Sequence, residues 1–371
     1  MFYFRLFDTQ DILLQSRPRN LVERTSSQTE REYFQIIKGN RIRNSQIKKR
    51  QWIIMKKTLV ALAVLAAGTA SAVNAAEIYN ADGSVLELTG RAFAIIEHKK
   101  TDTDSDTDVL VDDSRLGFKV RHQVTDAVAA VGKFEFQLTT QDDGSALKNR
   151  DVYAGLDFTD TVAVTFGRQT TSFDDYAFRG GFDEYYGYSQ ELEDRGRANG
   201  IIKAESANMN GLVVSGSYQF KEEEAGKDIT GATLAASYDA EFGLGLSAGY
   251  FDYKQSGNND HATGFNVGAS YAFGDAKVGA DYSSEDHFDK SSADAFRLGG
   301  EYFIDAYRLY AGYGQVDEKP VVGDSVDKDG FYAGVAYAFG AKTTLFVEGA
   351  SYDNGTSADD DRLALGINVN F

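Results

Sequence analysis

DRLALGINVNF, residues 361–371, is the stretch that decides the fold of this chain. Apolar side chains occupy every second position from Leu363 to Phe371, and charged, small or polar side chains occupy the positions between them. A period of two is typical of a β-strand with one apolar and one polar face. Such a strand fits a soluble sandwich or one strand of a membrane barrel, so the rest of the sequence has to separate the two.

The same alternation recurs along the chain in pairs of segments joined by very short turns. Tyrosine marks four of these turns, at Tyr238, Tyr271, Tyr302 and Tyr337, with spacings of 33, 31 and 35 residues. Longer polar connections, such as KQSGNNDHA (254–262), separate one pair from the next. The repeating unit is therefore strand, tight turn, strand, polar loop.

Counting the alternating segments predicts sixteen strands and one long connection at 171–195. The strands are expected at 85–97, 114–125, 127–139, 148–159, 161–170, 196–207, 211–221, 229–241, 244–254, 262–273, 276–286, 294–305, 307–318, 329–339, 343–354 and 361–371.

An even number of strands of about ten residues, with short turns at one end and long loops at the other, is typical of a transmembrane antiparallel β-barrel. A soluble all-β protein with solvent on its polar face is the alternative. Gly and Ser on the polar face leave room for a lumen, and tyrosines at one end suit a membrane interface, so we favour the barrel.

The region before the first strand reads as an export signal. Residues 55–75, MKKTLVALAVLAAGTASAVNA, combine a basic start, an apolar run and a small-residue exit. Cleavage is expected after Ala75, with a cut after Ala72 as the alternative. Because a signal peptide stands at the start of a chain, we interpret residues 1–54 as upstream sequence rather than as a basic arm. The single barrel domain would then cover residues 76–371.

The mature part is strongly acidic. Removing residues 1–75 takes away 13 of the 38 Lys and Arg and 5 of the 56 Asp and Glu, which leaves 25 bases against 51 acids and a net charge of −26. This balance predicts a negative potential over the mouths of a channel and a preference for cations. No H-E-x-x-H motif occurs, cysteine is absent and there are only four histidines, so no enzyme, metal site, cofactor or nucleic-acid partner is predicted.

Five motifs resemble the trimeric general porins of Gram-negative bacteria, the marine and vibrio-type porins more than the enteric ones. The motifs are AEIYNADGSVLELTGR (76–91), SRLGFK (114–119), NRDVYAGLDF (149–158), FGRQ (166–169) and GRANG (196–200). The resemblance implies a sixteen-strand homotrimeric barrel in the outer membrane, in contact with lipopolysaccharide and lipid. It also implies a third extracellular loop folded into the pore.

The same resemblance implies a basic pore wall that faces acids on this loop. The matching wall residues are Arg91, Arg115, Arg150 and Arg197, with Arg168 as a neighbour. For Arg91 and Arg115 the alternation agrees, because a lipid-facing arginine near mid-membrane costs about 2–4 kcal/mol and both should point inward. The alternative is that the arginines pair with wall carboxylates only to satisfy the lumen.

The long connection carries the acids that would complete a constriction. Asp183 and Glu184 lie beside the Gly180–Gly181 pair and are the preferred pore-facing acids, while Asp174 and Asp175 are further candidates. Acids on the loop and arginines on the wall would create a transverse field across a narrow aqueous gap.

The chain is therefore expected to be a passive diffusion channel for ions and small hydrophilic solutes. Its terminal Phe371 resembles the signal that outer-membrane barrels present to their assembly machinery. Two alternatives remain open at this point. One is an adhesin or receptor that acts through its loops, and the other is a substrate-specific channel with an aromatic path.

Overall fold

The computed structural model describes residues 76–371 apart from 102, 112, 142–143, 188–195, 225–226 and 356–359. The upstream segment 1–54 and the signal peptide 55–75 lie outside the described residues, so their assignment stays a prediction. No helix in the described part of the chain is long and apolar enough to cross a membrane.

The described residues form eighteen β-strands and one short α-helix. They are β1 (Ala76–Ala81), β2 (Ser84–Thr101), β3 (Ser105–Leu110), β4 (Ser114–Thr125), β5 (Val128–Gln141), β6 (Gly144–Phe158), β7 (Val162–Thr170), α1 (Ser172–Tyr176), β8 (Arg197–Ser206), β9 (Leu212–Glu224), β10 (Lys227–Asp239), β11 (Leu244–Gln255), β12 (His261–Phe273), β13 (Ala276–Asp286), β14 (Ser292–Ile304), β15 (Tyr307–Lys319), β16 (Val326–Ala338), β17 (Thr343–Asp353) and β18 (Asp360–Asn370).

These eighteen segments make sixteen barrel strands, as the sequence predicts. Along one edge of β2, the terminal strand β18 pairs with the part of β2 from Thr101 to Arg91, and β1 pairs with the remaining part from Leu88 to Ser84. On the other side of β2, β3 and β4 likewise succeed one another along one line. All strand pairs are antiparallel and β18 returns to β2, so the sheet is a closed barrel with no free edge.

The alternation of the sequence sets which side chains face out. In β12, Phe265, Val267 and Tyr271 are 41–48 % exposed on the outer surface. Asn266 and Ser270, on the opposite face, are buried against groups inside the barrel. The outer face therefore has the apolar character that lipid requires, and the inner face is small or polar.

Two belts of aromatic side chains ring this outer face. The sequence reveals the belt near the short turns, which includes Tyr238, Tyr271, Tyr302 and Tyr307. The second belt appears only when strands are aligned, and consists of Tyr250, Phe265, Tyr282, Phe296, Tyr313 and Phe331. Phe265 and Phe273 are eight residues apart, or about 27 Å along the strand, which suits the apolar band of about 25 Å that such barrels present to a bilayer.

The connections at the two ends differ less than the sequence suggests. The turn end has tight reversals such as Asp82–Gly83, whose φ angles of 54° and 73° fit a two-residue hairpin. At the loop end, 256–260 and 287–291 connect strands with only five residues each, because the strands run beyond their predicted bounds. The long exception is the connection after β7, which enters the barrel.

Candidate functional site

Four of the predicted arginines converge on one inner wall of the barrel. Arg91 on β2 lies directly opposite Arg115 on β4. Arg150 on β6 and Arg197 on β8 lie within electrostatic range of Arg115. Their side chains are only 20–26 % exposed, which is typical of groups that line a narrow lumen rather than an open surface.

The direct partners of these arginines are acids of the wall itself. Asp113, just before β4, forms ion pairs with Arg91 and with Arg115, the latter at 2.6 Å. Glu135 on β5 binds Arg150 at 2.9 Å. The arginines therefore pair with carboxylates of the wall, which is the alternative that the sequence left open.

The wall nevertheless keeps an excess of positive charge. Asp151 is shared between Arg197, at 2.6 Å, and Lys133, at 2.5 Å. With Lys133 included, the five bases of this group (Arg91, Arg115, Lys133, Arg150 and Arg197) face three acids (Asp113, Glu135 and Asp151). We call these eight residues the basic wall.

Arg168 lies apart from this group. It shares the parity of Phe166, which is 54 % exposed on the outer surface. Its guanidinium donates to the carbonyl oxygen of Asn149 at 2.9 Å and to Oδ1 of Asn199 at 3.2 Å. A bulge between Gly167 and Gln169 changes the local register of β7, and the sequence pattern does not reveal it.

The long connection after β7 folds into the barrel as a packed loop. Its described part runs from Thr171, which caps α1 by accepting the N–H of Asp174 at 3.1 Å, to Gly187. Phe173 is fully buried and packs edge-on against Phe251 of β11, with ring centroids 5.2 Å apart. We call residues 171–187 the inner loop.

Two buried carboxylates of the barrel wall hold the inner loop in place. Asp281 on β13 accepts the backbone N–H groups of Arg179 at 2.6 Å and Gly180 at 2.5 Å. Glu348 on β17 accepts those of Glu184 at 2.9 Å and Tyr186 at 2.5 Å, and also the hydroxyl of Tyr310 at 2.7 Å.

These contacts fix the backbone of the loop tip. Asp281 is 3 % exposed and Glu348 is fully buried, so each carboxylate depends on the donors that surround it. Hydrogen bonds to a charged group contribute roughly 1.5–3 kcal/mol each, and losing a partner inside a protein costs more than losing one in water.

The acids at the start of the inner loop face the basic wall. Asp175 binds Lys203 of β8 at 2.5 Å. Asp174 is exposed to the lumen, with Arg150 and Arg197 within electrostatic range. Protein surrounds its carboxylate on most sides, and this restricted solvation, together with the charge of Asp175, raises the pKa of Asp174 to about 6 against the opposing effect of the arginines.

The acids at the loop tip occupy two environments. Glu184 binds Arg308 of β15 at 2.6 Å and lies within electrostatic range of Arg91. Burial raises the pKa of Glu184 despite the neighbouring Arg308. Asp183 is exposed beside Gly187. The loop therefore presents acids toward the basic wall at both its start and its tip.

Several residues of the site do not stand out in the sequence pattern. Lys133 and Glu135 show a usable signal, because they alternate with the apolar Phe134 and Phe136 on β5. Asp281, Arg308 and Glu348 are charged residues on inward positions of otherwise ordinary strands. Only their contacts with the inner loop give them a role.

A cavity of about 580 Å³ opens in the lumen on the turn side of the basic wall. Its lining mixes both signs of charge with an aromatic ring and includes Glu87, Lys119, Tyr153, Lys203 and Glu205. No group of three or more His, Cys, Asp or Glu in the described residues is arranged to hold a metal ion.

Comparisons with known proteins agree with the barrel fold. A family model described as Gram-negative porin matches residues 61–357. Outer membrane protein U of Vibrio parahaemolyticus is 30 % identical over 361 residues, which cover 85 % of this chain and all of that protein. The chain belongs to the Gram-negative porin family.

Solved porin structures share the fold. The OmpF of Salmonella typhi, in complex with daunomycin, has a TM-score of 0.68 at 21 % identity, over 80 % of this chain and all of that one. The trimer form of OmpT of Vibrio cholerae has a TM-score of 0.64 at 22 % identity, over 78 % of this chain and all of that one.

This porin is an outer-membrane protein and a general diffusion channel. Its turn end is periplasmic and its loop end extracellular, in line with the short periplasmic turns of such barrels. We propose that the basic wall and the inner loop together form the constriction of the channel.

Proposed function

We propose that this porin conducts small hydrophilic solutes with a preference for cations. The observation that carries the proposal is the placement of acids along the diffusion path. Asp174, Asp183 and Glu184 border the lumen from the inner loop, while three acids offset most of the charge of the basic wall.

The extracellular mouth adds to the negative potential. Between the extracellular ends of β13 and β16, it carries Asp286, Asp289, Asp294, Asp317, Glu318, Asp324, Asp327 and Asp329 against Lys290, Lys319 and Lys328. Such a field raises the local cation concentration, and it weakens with salt because the Debye length is about 8 Å at 0.15 M.

The lumen geometry supports a non-specific channel over one with an aromatic path. Tyr310 and Tyr332 point inward, but they are only 4 % and 3 % exposed. Their hydroxyls bind Glu348 and the backbone N–H of Phe182, so both rings belong to the support of the inner loop.

Reversal potentials of purified protein in planar bilayers test the proposal. In a KCl gradient, K⁺ should be favoured over Cl⁻, and more strongly at 0.01 M than at 0.15 M salt. Anion preference at low salt would mean that the basic wall outweighs the acids of the loop and mouth, and would refute it.

The working form we propose is an exported homotrimer without enzymatic activity. The trimer form of the structurally similar Vibrio cholerae OmpT supports this assembly. Cleavage at Ala75 would give a mature protein starting at Ala76, which N-terminal mass spectrometry of outer-membrane fractions tests. Lipopolysaccharide would contact the acidic extracellular rim, and the assembly machinery would bind the final strand through Phe371.

A further inference from the structure

The inner wall beneath the loop contains glycines in the interior of strands, where other residues would be more favourable. Gly279 on β13 and Gly299 on β14 lie directly opposite one another in register, and both are buried. Glycine in a strand interior is unfavourable because it gains no side-chain packing, so it usually marks a close approach of another backbone.

At these positions the approaching backbone is that of the inner loop. A Cβ atom on Gly279 would overlap the carbonyl oxygen of Arg179. A Cβ atom on Gly299 would lie 2.9 Å from the carbonyl oxygen of Gly180. On β11, a Cβ atom on Gly249 would lie 2.7 Å from the ring of Phe173 and 2.8 Å from Cβ of Ala177.

Three other inward glycines of the barrel have a different cover. Gly264 lies under the ring of Phe251, which a Cβ atom would approach to 2.5 Å. Gly312 and Gly334 lie under the rings of Tyr332 and Tyr310. These rings come from the neighbouring strand, as in the aromatic cover of glycine seen in designed sheets. The three glycines beneath the loop therefore form a separate group.

We infer that Gly249, Gly279 and Gly299 form a seat that sets how deeply the inner loop lies against the wall, and thereby the width of the constriction. Asp281 sits beside this seat and binds the N–H groups of Arg179 and Gly180 at 2.6 and 2.5 Å, distances that leave no slack for a raised loop. The inference rests on the constriction between the inner loop and the basic wall.

The direction of the effect follows from the geometry. The wall is continuous sheet behind the glycines, so a loop pushed by a new Cβ moves toward the lumen and the arginines. Reaching ordinary van der Waals contact at Gly279 requires a displacement of roughly 1 Å. Alanine at Gly279 should therefore narrow the constriction and weaken the hydrogen bonds to Asp281.

The test compares single-channel conductance of Gly279→Ala, Gly299→Ala and the control Gly216→Ala. Gly216 is a β9 glycine whose nearest atoms would lie 3.8 Å from an added Cβ, so the control changes a strand glycine without touching the loop. We expect a loss of conductance with more current noise in Gly279→Ala, a smaller loss in Gly299→Ala and wild-type conductance in the control.

Heat-resistant migration on gels shows which variants are folded. Unchanged conductance in folded Gly279→Ala, or an equal loss in Gly216→Ala, overturns the seat. If Gly279→Ala does not fold, unchanged conductance of Gly299→Ala overturns it instead. This test measures conductance and does not depend on ion selectivity. A wild-type channel without cation preference would refute the proposed function, but the conductances of the glycine variants could still be compared.

Discussion

Replacing Arg115 by alanine should make the channel more cation-selective without disturbing the barrel. Arg115 is one of five bases that face three acids in the basic wall, so its loss lowers the local excess from two positive charges to one. Its partner Asp113 keeps its ion pair with Arg91. No buried carboxylate is left without a cation, and the variant should fold.

The size of the effect follows from Coulomb's law. A unit charge about 7 Å from the ion path contributes about 0.6 kcal/mol in water, and screening at 0.15 M reduces this to about 0.25 kcal/mol. The energy has opposite signs for K⁺ and Cl⁻, so the permeability ratio should rise about twofold at 0.15 M and about fivefold at 0.01 M.

Reversal potentials in KCl gradients measure this permeability ratio. Two control variants separate the effect of the charge at Arg115 from other effects of the substitution. Arg115→Lys keeps the charge and should keep the ratio. Arg121→Ala removes an inward arginine of the same strand that binds Asp157 at 2.5 Å and lies six residues, or about 20 Å, nearer the periplasm. An Arg115→Ala ratio equal to wild type, or an equal shift in Arg121→Ala, would refute the transverse field.

Three further predictions concern the loop and the seam of the barrel. Glu348→Ala removes the acceptor of three hydrogen bonds and should give a channel with noisy, flickering current, whereas Glu348→Gln retains one acceptor oxygen and should be less noisy than Glu348→Ala. Equal current noise in both variants and wild type in bilayer recordings would contradict the role of Glu348 in holding the inner loop. Because the pKa of Asp174 is about 6, its carboxylate is charged at pH 7 and gains a proton as the pH falls. Reversal potentials should therefore show a cation preference that declines between pH 7 and pH 5, and this decline should vanish in Asp174→Asn. Phe371→Asp should lower the amount of heat-resistant barrel in the outer membrane, since Phe371 exchanges two backbone hydrogen bonds of 3.0 Å with Gly90 at the seam and is the proposed assembly signal; wild-type levels of folded protein would count against that role.

The sequence by itself determined the barrel, because the information is local. The period of two along β18 or β12 states which face meets lipid, and the short turns state which strands are neighbours. The observed β11, Leu244–Gln255, differs by one residue from the predicted segment 244–254. The inward direction of Arg91 and Arg115 followed from the same parity.

Only the tertiary structure decided how the lumen is built. Asp281 meets Gly180 across 101 residues of chain, and Glu348 meets Glu184 across 164. No period along the sequence encodes such contacts, because they depend on where the inner loop lies after the barrel has closed. Arg168 shows the same limit at short range, since a bulge at Gly167 and the partners Asn149 and Asn199 fix its place. The sequence pattern predicts which way a strand residue points, but the charges that the residue contacts belong to strands and loops that are distant in the chain.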